Sequence, residues 1–223
     1  MKIWQLLEQT TVEGEAHDMR LYQRDDEFSI KTGYSELMNS RMHSSEDLLA
    51  ELGCRSLKEG QQSRILVGGL GMGYTLAAVL KHAPDDAEIV VSELVPEVVA
   101  WNRTHLSHLA NHPLKDSRVH VLEGDVGVLI RNKQDYFDVI LLDVDNGPEG
   151  LTRQENSALY SAKGLKMARR ALRPHGVVGV WSAFPEPRFT KKMNQANFQT
   201  EEVACRAHGQ RGSKHMLWLG TRF

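Results

Sequence analysis

Two rhythms of apolar and polar positions run along the chain. Residues 19–24 (MRLYQR) and 27–32 (EFSIKT) alternate apolar and polar side chains, the period of half-buried strands. Asp25-Asp26 marks the turn between them, and Gly33 a second turn before a short strand around Glu36–Asn39. These segments predict a small antiparallel sheet. From Ser44 the pattern changes to that of a helix, with acids in the first turn and Gly53 past its end. From Arg64 a second rhythm takes over. Apolar strands are predicted at 65–69, 88–93, 118–124, 137–143 and 176–183, each followed by a helical stretch. The third helix is predicted over 96–109, with Pro96 in its first turn. Two closing strands near 198–206 and 215–221 are predicted to form a hairpin. Alternating strands and helices imply a parallel sheet with helices on both faces, and the hairpin makes one edge antiparallel. The expected fold class is α/β: a Rossmann-like, mostly parallel seven-stranded sheet with an antiparallel C-terminal hairpin and a small N-terminal β-hairpin region. The expected division is residues 1–53 for the β-rich region with its helix and 54–223 for the Rossmann-like catalytic domain.

Composition narrows this picture. With 223 residues, one full-sized domain and a small appendage are expected. Lys plus Arg is 27 and Asp plus Glu is 29, a formal charge of −2, which argues against a general nucleic-acid binder. Cys54 and Cys205 are too few and too far apart for a disulfide framework or a zinc site. No metal is expected. The N-terminal segment lacks the pattern of a signal peptide, and no run reaches the ~18 apolar residues of a membrane span. A cytoplasmic protein without membrane partners is therefore expected. Exposed edges of the small sheet suit a homodimer.

In an open parallel sheet, ligands bind beyond the carboxyl ends of the strands. Here four consecutive strands end in glycine, acid or both. The first leads into Gly68-Gly69-Leu70-Gly71-Met72-Gly73, a turn that lets a ligand approach the backbone. The second ends in Ser92-Glu93, whose carboxylate suits two ribose hydroxyls. The third ends in Gly124-Asp125, whose acid suits an adenine amino group. The fourth ends in Asp143-Val144-Asp145-Asn146. Gly71 and Glu93 lie near the ~20-residue spacing of a ribose-binding acid. A single such unit, with its third-strand acid, favours an adenosyl-methionine ligand over NAD. Trp181, at the end of the fifth strand, is a candidate wall of the pocket. His105, His108 and His112 would share a helix face, but no carboxylate completes a metal site, and an exposed polar face is expected.

These motifs resemble the spermidine synthase family of the class I S-adenosylmethionine-dependent methyltransferase superfamily. RILVGGLGMGYTLAAVLKH (64–82) is similar to its glycine motif, SELVPEVV (92–99) to its ribose motif and LEGD (122–125) to its adenine-side motif. FDVILLDVDNGP (137–148) resembles its catalytic segment, and 27–52 its hairpin and first helix. The resemblance implies S-adenosylmethionine or its decarboxylated form as cofactor, with Gly68, Gly69, Gly71, Gly73, Glu93, Leu94, Gly124 and Asp125 binding it. It also implies Asp143, with Asp145 substituting for a second acid, as catalytic residues, and Glu36 and Asn146 on the substrate side, which Trp181 joins by its place at the end of the fifth strand. Four features depart from the family pattern: Met72 replaces an aspartate, Ser45 a tyrosine and Glu36 a glutamine, and Asp143-Val144-Asp145-Asn146 stands where the family has Asp, two small residues, Asp and Pro. An intact cofactor half with an altered acceptor half leads to the expectation of a methyltransferase on a small or peptide-like acceptor, with putrescine a poor substrate. The alternative is a polyamine aminopropyltransferase using decarboxylated S-adenosylmethionine. A non-catalytic nucleoside-binding or scaffold protein is a third reading. In each enzyme reading the partner is a small molecule, an amine in the second.

Overall fold

A computed structural model describes residues 3–12, 16–144, 158–208 and 211–223. The chain opens with a four-stranded antiparallel sheet in sequence order: β1 (Gln5–Thr10), β2 (Met19–Arg24), β3 (Glu27–Thr32) and β4 (Ser35–Asn39). Strand β1 was not foreseen. Its burial runs exposed for most of its length, with only Thr10 buried, so it carries no alternating signal. It is held by backbone pairing to β2. Helix α1 (Ser44–Cys54) buries Leu49, Ala50 and Cys54, which belong to the core beneath the large sheet.

The second sheet has seven strands: β5 (Arg64–Gly68), β6 (Glu88–Glu93), β7 (Val119–Glu123), β8 (Phe137–Leu142), β9 (Leu172–Ser182), β10 (Phe198–His208) and β11 (Arg211–Arg222). Their spatial order is β10-β11-β9-β8-β5-β6-β7. Strands β5 to β9 pair in parallel, while β11 runs antiparallel to both β9 and β10. The α/β expectation holds, including the antiparallel edge. Helices α2 (Tyr74–His82), α3 (Pro96–Arg103), α4 (Val126–Arg131), α5 (Ala162–Ala171) and α6 (Phe189–Gln195) alternate with the strands. The continuous apolar run of β8 has the reason the sequence suggested. Val139 and Leu141 join the core on one face, Ile140 and Leu142 that on the other, and all four are fully buried.

Two boundaries move. Helix α3 stops at Arg103 instead of continuing to residue 109, because Thr104 leaves helical geometry and turns its hydroxyl back to the Ala100 carbonyl, 2.9 Å away. His105, His108 and His112 therefore share no helix. Strand β9 begins four residues before Gly176, as Leu172 already pairs with Phe137. The placement of the site follows from the strand order. The chain leaves β5 towards β6 on one side and later returns to β8 on the other, so a crevice opens where the two directions diverge.

Candidate functional site

The crevice is a cavity of about 520 Å³ at the carboxyl ends of β5, β6, β7 and β8, within the range of small-molecule sites. One wall comes from β3, β4 and α1, the other from β9 and β11. Its floor is the turn after β5. Gly69 sits at φ +89°, and a Cβ there would stand 2.2 Å from the Asp143 carbonyl oxygen. Only glycine allows these two strand ends to approach so closely. Gly71, at φ +53°, points its absent side chain at the Met38 thioether, 2.5 Å from its Cε. A valine there meets both strain and the opposite wall. Asn102 steadies the turn by donating to the Gly71 carbonyl at 2.7 Å and to Val98 at 2.9 Å.

Glu93 ends β6, and its side chain is almost wholly buried. One carboxylate oxygen accepts from Leu70 N–H at 2.9 Å, the other from Val95 N–H at 2.9 Å. Burial pushes its pKa up, opposed by the backbone N–H groups that surround it. The residue therefore stitches the glycine turn to the start of α3, a structural task that its spacing did not reveal. A ligand hydroxyl would share these oxygens with the N–H groups around them. Glu93→Ala is expected to orphan two backbone donors and to remove that acceptor. Methylthioadenosine binding should weaken by about 1.5–3 kcal/mol in calorimetry, with a lower melting temperature. Parental affinity and stability together would refute both roles.

Leu94, Gly124 and Asp125 also border the cavity. Asp125 caps α4, accepting from Gly127 N–H at 2.7 Å. Glu36 faces the cavity from β4, held by Ser29 at 2.7 Å and Asn39 at 2.8 Å. Trp181 lines the opposite wall. Two of the expected glycines do not reach the cavity. Gly68 is the last residue of β5, with its carbonyl spent on Asp143 N–H at 2.9 Å, and Gly73 caps α2. Both shape the turn without bordering the space. Asp145 and Asn146 lie outside the described residues.

Asp143 stands where β8 ends, its carboxylate accepting from Thr75 at 2.5 Å. Burial raises its pKa to about 6. Sequence reasoning missed its neighbour. Glu46, in the first turn of α1, faces the same cavity, and burial together with the Asp143 charge pushes its pKa up to about 8. Glu46 looks like an ordinary first-turn acid in the sequence, and no spacing rule links it to Asp143. Met72, by contrast, is buried in the core and does not line the cavity. Ser45 is fully buried beside Glu46, bonded to Trp181 Nε1 at 3.0 Å and His215 Nδ1 at 2.9 Å. His215 is another cavity residue with no local signal.

Residues 42–206 match the family model described as the spermine/spermidine synthase domain. The chain belongs to that family. A polyamine aminopropyltransferase from Clostridium tetani is 36% identical over 80 residues, 36% of this chain and 28% of that protein. One from Ruegeria is 28% identical over 148 residues, 64% of this chain and 50% of that protein. The chain thus spans half or less of the length of these two relatives. In structure it is similar to spermidine synthase from Thermotoga maritima, with TM-score 0.76 at 15% identity over 98% of this chain and 73% of that one. It is also similar, more loosely, to a predicted O-methyltransferase from Agrobacterium tumefaciens, with TM-score 0.52 at 19% identity over 79% of each chain. The family's fold therefore extends across nearly the whole chain, including the N-terminal sheet. Among the described residues no cluster of His, Cys, Asp and Glu is arranged to hold a metal ion, and no helix is long and apolar enough to cross a membrane.

Proposed function

We propose that the chain is an aminopropyltransferase that moves a 3-aminopropyl group from decarboxylated S-adenosylmethionine to a cationic amine of the diamine class. The observation that carries this reading is the acidic lining of the cavity. Glu36, Glu46, Glu93, Asp125 and Asp143 line it, and no Lys or Arg is among its described lining residues. The carboxylated donor would bring its own carboxylate into this field, where each unpaired like charge is costly. The decarboxylated donor brings a sulfonium and an ammonium, and the acceptor brings further ammonium groups. All of these are attracted. The methyl-transfer expectation rested on Met72 and Ser45. The acid absent at position 72 is offset by Glu46, so the altered acceptor half still favours amines.

The chemistry is an in-line displacement, in which positioning and a matched charge field do most of the work. The adenosine half would lie along the glycine turn, its ribose against Glu93 and its adenine against Asp125. Asp143 and Glu46 would hold the cationic arms. The acceptor nitrogen attacks the propyl carbon next to sulfur, the carbon–sulfur bond breaks, and methylthioadenosine leaves. Product formation with both donors and a panel of amines, putrescine included, tests the reading. Release of methylthioadenosine from the decarboxylated donor is expected. Methyl transfer from S-adenosylmethionine without it would overturn the proposal.

A second expectation concerns protons. Glu46 has its folded pKa raised from 4.5 to about 8, so it favours the empty fold fully below pH 4.5, and this contribution is lost as pH rises through 8. At pH 7 the empty cavity therefore keeps Glu46 largely protonated. An incoming ammonium favours the carboxylate, so amine binding should release a proton. Calorimetry at pH 7 in buffers of different ionisation enthalpy should show that release, and Glu46→Gln should abolish it. Binding heats independent of buffer would contradict the assignment.

A further inference from the structure

Three side chains from distant parts of the chain meet on the cavity wall around one hydroxyl. Ser45 Oγ lies 3.0 Å from Trp181 Nε1 and 2.9 Å from His215 Nδ1, and its proton points to the Glu46 carboxylate. A serine hydroxyl has one proton and two lone pairs. The indole N–H can only donate, so it takes one lone pair. The proton goes to Glu46, which is a carboxylate once an ammonium is bound. The second lone pair remains for His215, which makes Nδ1 the protonated nitrogen. Nε2 then carries the free lone pair of the imidazole and has no hydrogen-bond partner among the described residues, while the ring borders the cavity. The ring is fixed edge-on to Trp181, with centroids 4.8 Å apart at 75°. Burial depresses its pKa below the ordinary value, which keeps the ring neutral, with an unprotonated nitrogen, near pH 7.

We propose that His215 Nε2 is the base that accepts the proton which the attacking amine must lose, with Ser45 fixing its tautomer. The inference rests on the aminopropyl-transfer reading. An ammonium has no lone pair with which to attack. It gives one proton to Nε2, and its freed electron pair then forms the carbon–nitrogen bond. The carbon–sulfur electrons return to sulfur, leaving a neutral thioether and a secondary ammonium. The imidazolium afterwards passes its proton to solvent. The total charge is unchanged: ammonium, sulfonium and neutral imidazole become secondary ammonium, thioether and imidazolium. The carboxylates suit a different task. Glu46 reaches His215 through Ser45 from α1, and Asp143 faces the shared cavity from the end of β8. A carboxylate that serves as counter-ion to an ammonium is weakened as its base, because the cation lowers its proton affinity. On the far side, Cys205 of β10 meets the His215 carbonyl through its thiol at 3.7 Å, and burial holds that thiol well above its ordinary pKa, so it is no rival base.

The test compares the parent chain with His215→Asn and His215→Ala, using decarboxylated S-adenosylmethionine and the best amine of the panel. His215→Asn keeps an N–H for Ser45 but has no basic lone pair. Its kcat is expected to fall ~10²–10³-fold, while methylthioadenosine affinity stays within a few-fold of the parent. His215→Ala should be equally impaired and should regain activity, saturably, with added imidazole. A His215→Asn variant that turns over at the parental rate, or a His215→Ala variant that imidazole does not restore, would overturn the assignment while leaving aminopropyl transfer standing. A parent chain without aminopropyl transfer would remove both.

Discussion

Asp143→Asn should lower kcat for aminopropyl transfer by ~10²–10³-fold and leave methylthioadenosine affinity within a few-fold of the parent. The fold should tolerate this exchange. The asparagine carbonyl can still accept from Thr75, which lies 2.5 Å from the present carboxylate, and the backbone of residue 143 remains tied to Gly68 at 2.9 Å. The change removes a negative charge at the point where β8 delivers it to the cavity. Burial already raises the cost of that charge and lifts the Asp143 pKa, so the fold gains nothing from carrying it there. A cationic ligand beside it, as in the proposed reaction, would provide the reason. The same substitution should ease the ionisation of Glu46, whose pKa is raised in part by Asp143, and proton release on amine binding should shrink. Steady-state kinetics and calorimetry on one preparation check both outcomes. An unimpaired variant would remove Asp143 from the machinery.

Gly69→Ala should be severely damaging for a change of one methyl group. The residue stands at φ +89°, and an added Cβ would lie 2.2 Å from the Asp143 carbonyl oxygen and 3.0 Å from its carbon. The obstacle is backbone, which cannot rotate away. Both partners are also pinned, Gly69 N–H to Ser92 at 2.9 Å and Asp143 N–H to Gly68. The strained φ alone costs about 1–3 kcal/mol, and parting β5 from β8 adds to it. At roughly 2–4 °C per kcal/mol for a chain of this size, the melting temperature should fall by about 10 °C, and methylthioadenosine binding should vanish. Gly60→Ala is the control. It shares a positive φ, +77°, but nothing lies within 4 Å of its Cβ position, so only the conformational cost remains. Equal melting temperatures for the two variants would show that the strand ends are not held as described.

Much of this molecule could be read along the chain. The change of rhythm at Arg64, the uninterrupted apolar run of β8 and the glycine–acid endings of the strands are local properties, set by side-chain period and backbone freedom. They were enough to place a parallel sheet and to put Glu93, Asp125 and Asp143 at one end of it. Local signals failed where local preference did not decide. Strand β1 exposes most of its residues and exists through pairing with β2. The apolar pattern of α3 continues beyond Arg103, but the Thr104 hydroxyl competes for backbone carbonyls and the helix ends there.

What the sequence alone determined is therefore the fold and the part of the cavity formed by the strand ends. Each of those residues sits within a residue or two of a strand end, and strand ends are visible as breaks in an apolar pattern. The wall that carries Ser45, Glu46 and His215 was decided by tertiary structure. Ser45 and His215 are 170 residues apart, and they meet because α1 packs beneath the sheet while the antiparallel β11 carries its early residues past the end of β9. Glu46 acquires its unusual proton affinity only from burial and from Asp143, which reaches it across the cavity from another element. Charge, tautomer and proton affinity are properties of surroundings, and the surroundings of these residues do not exist until the chain has folded.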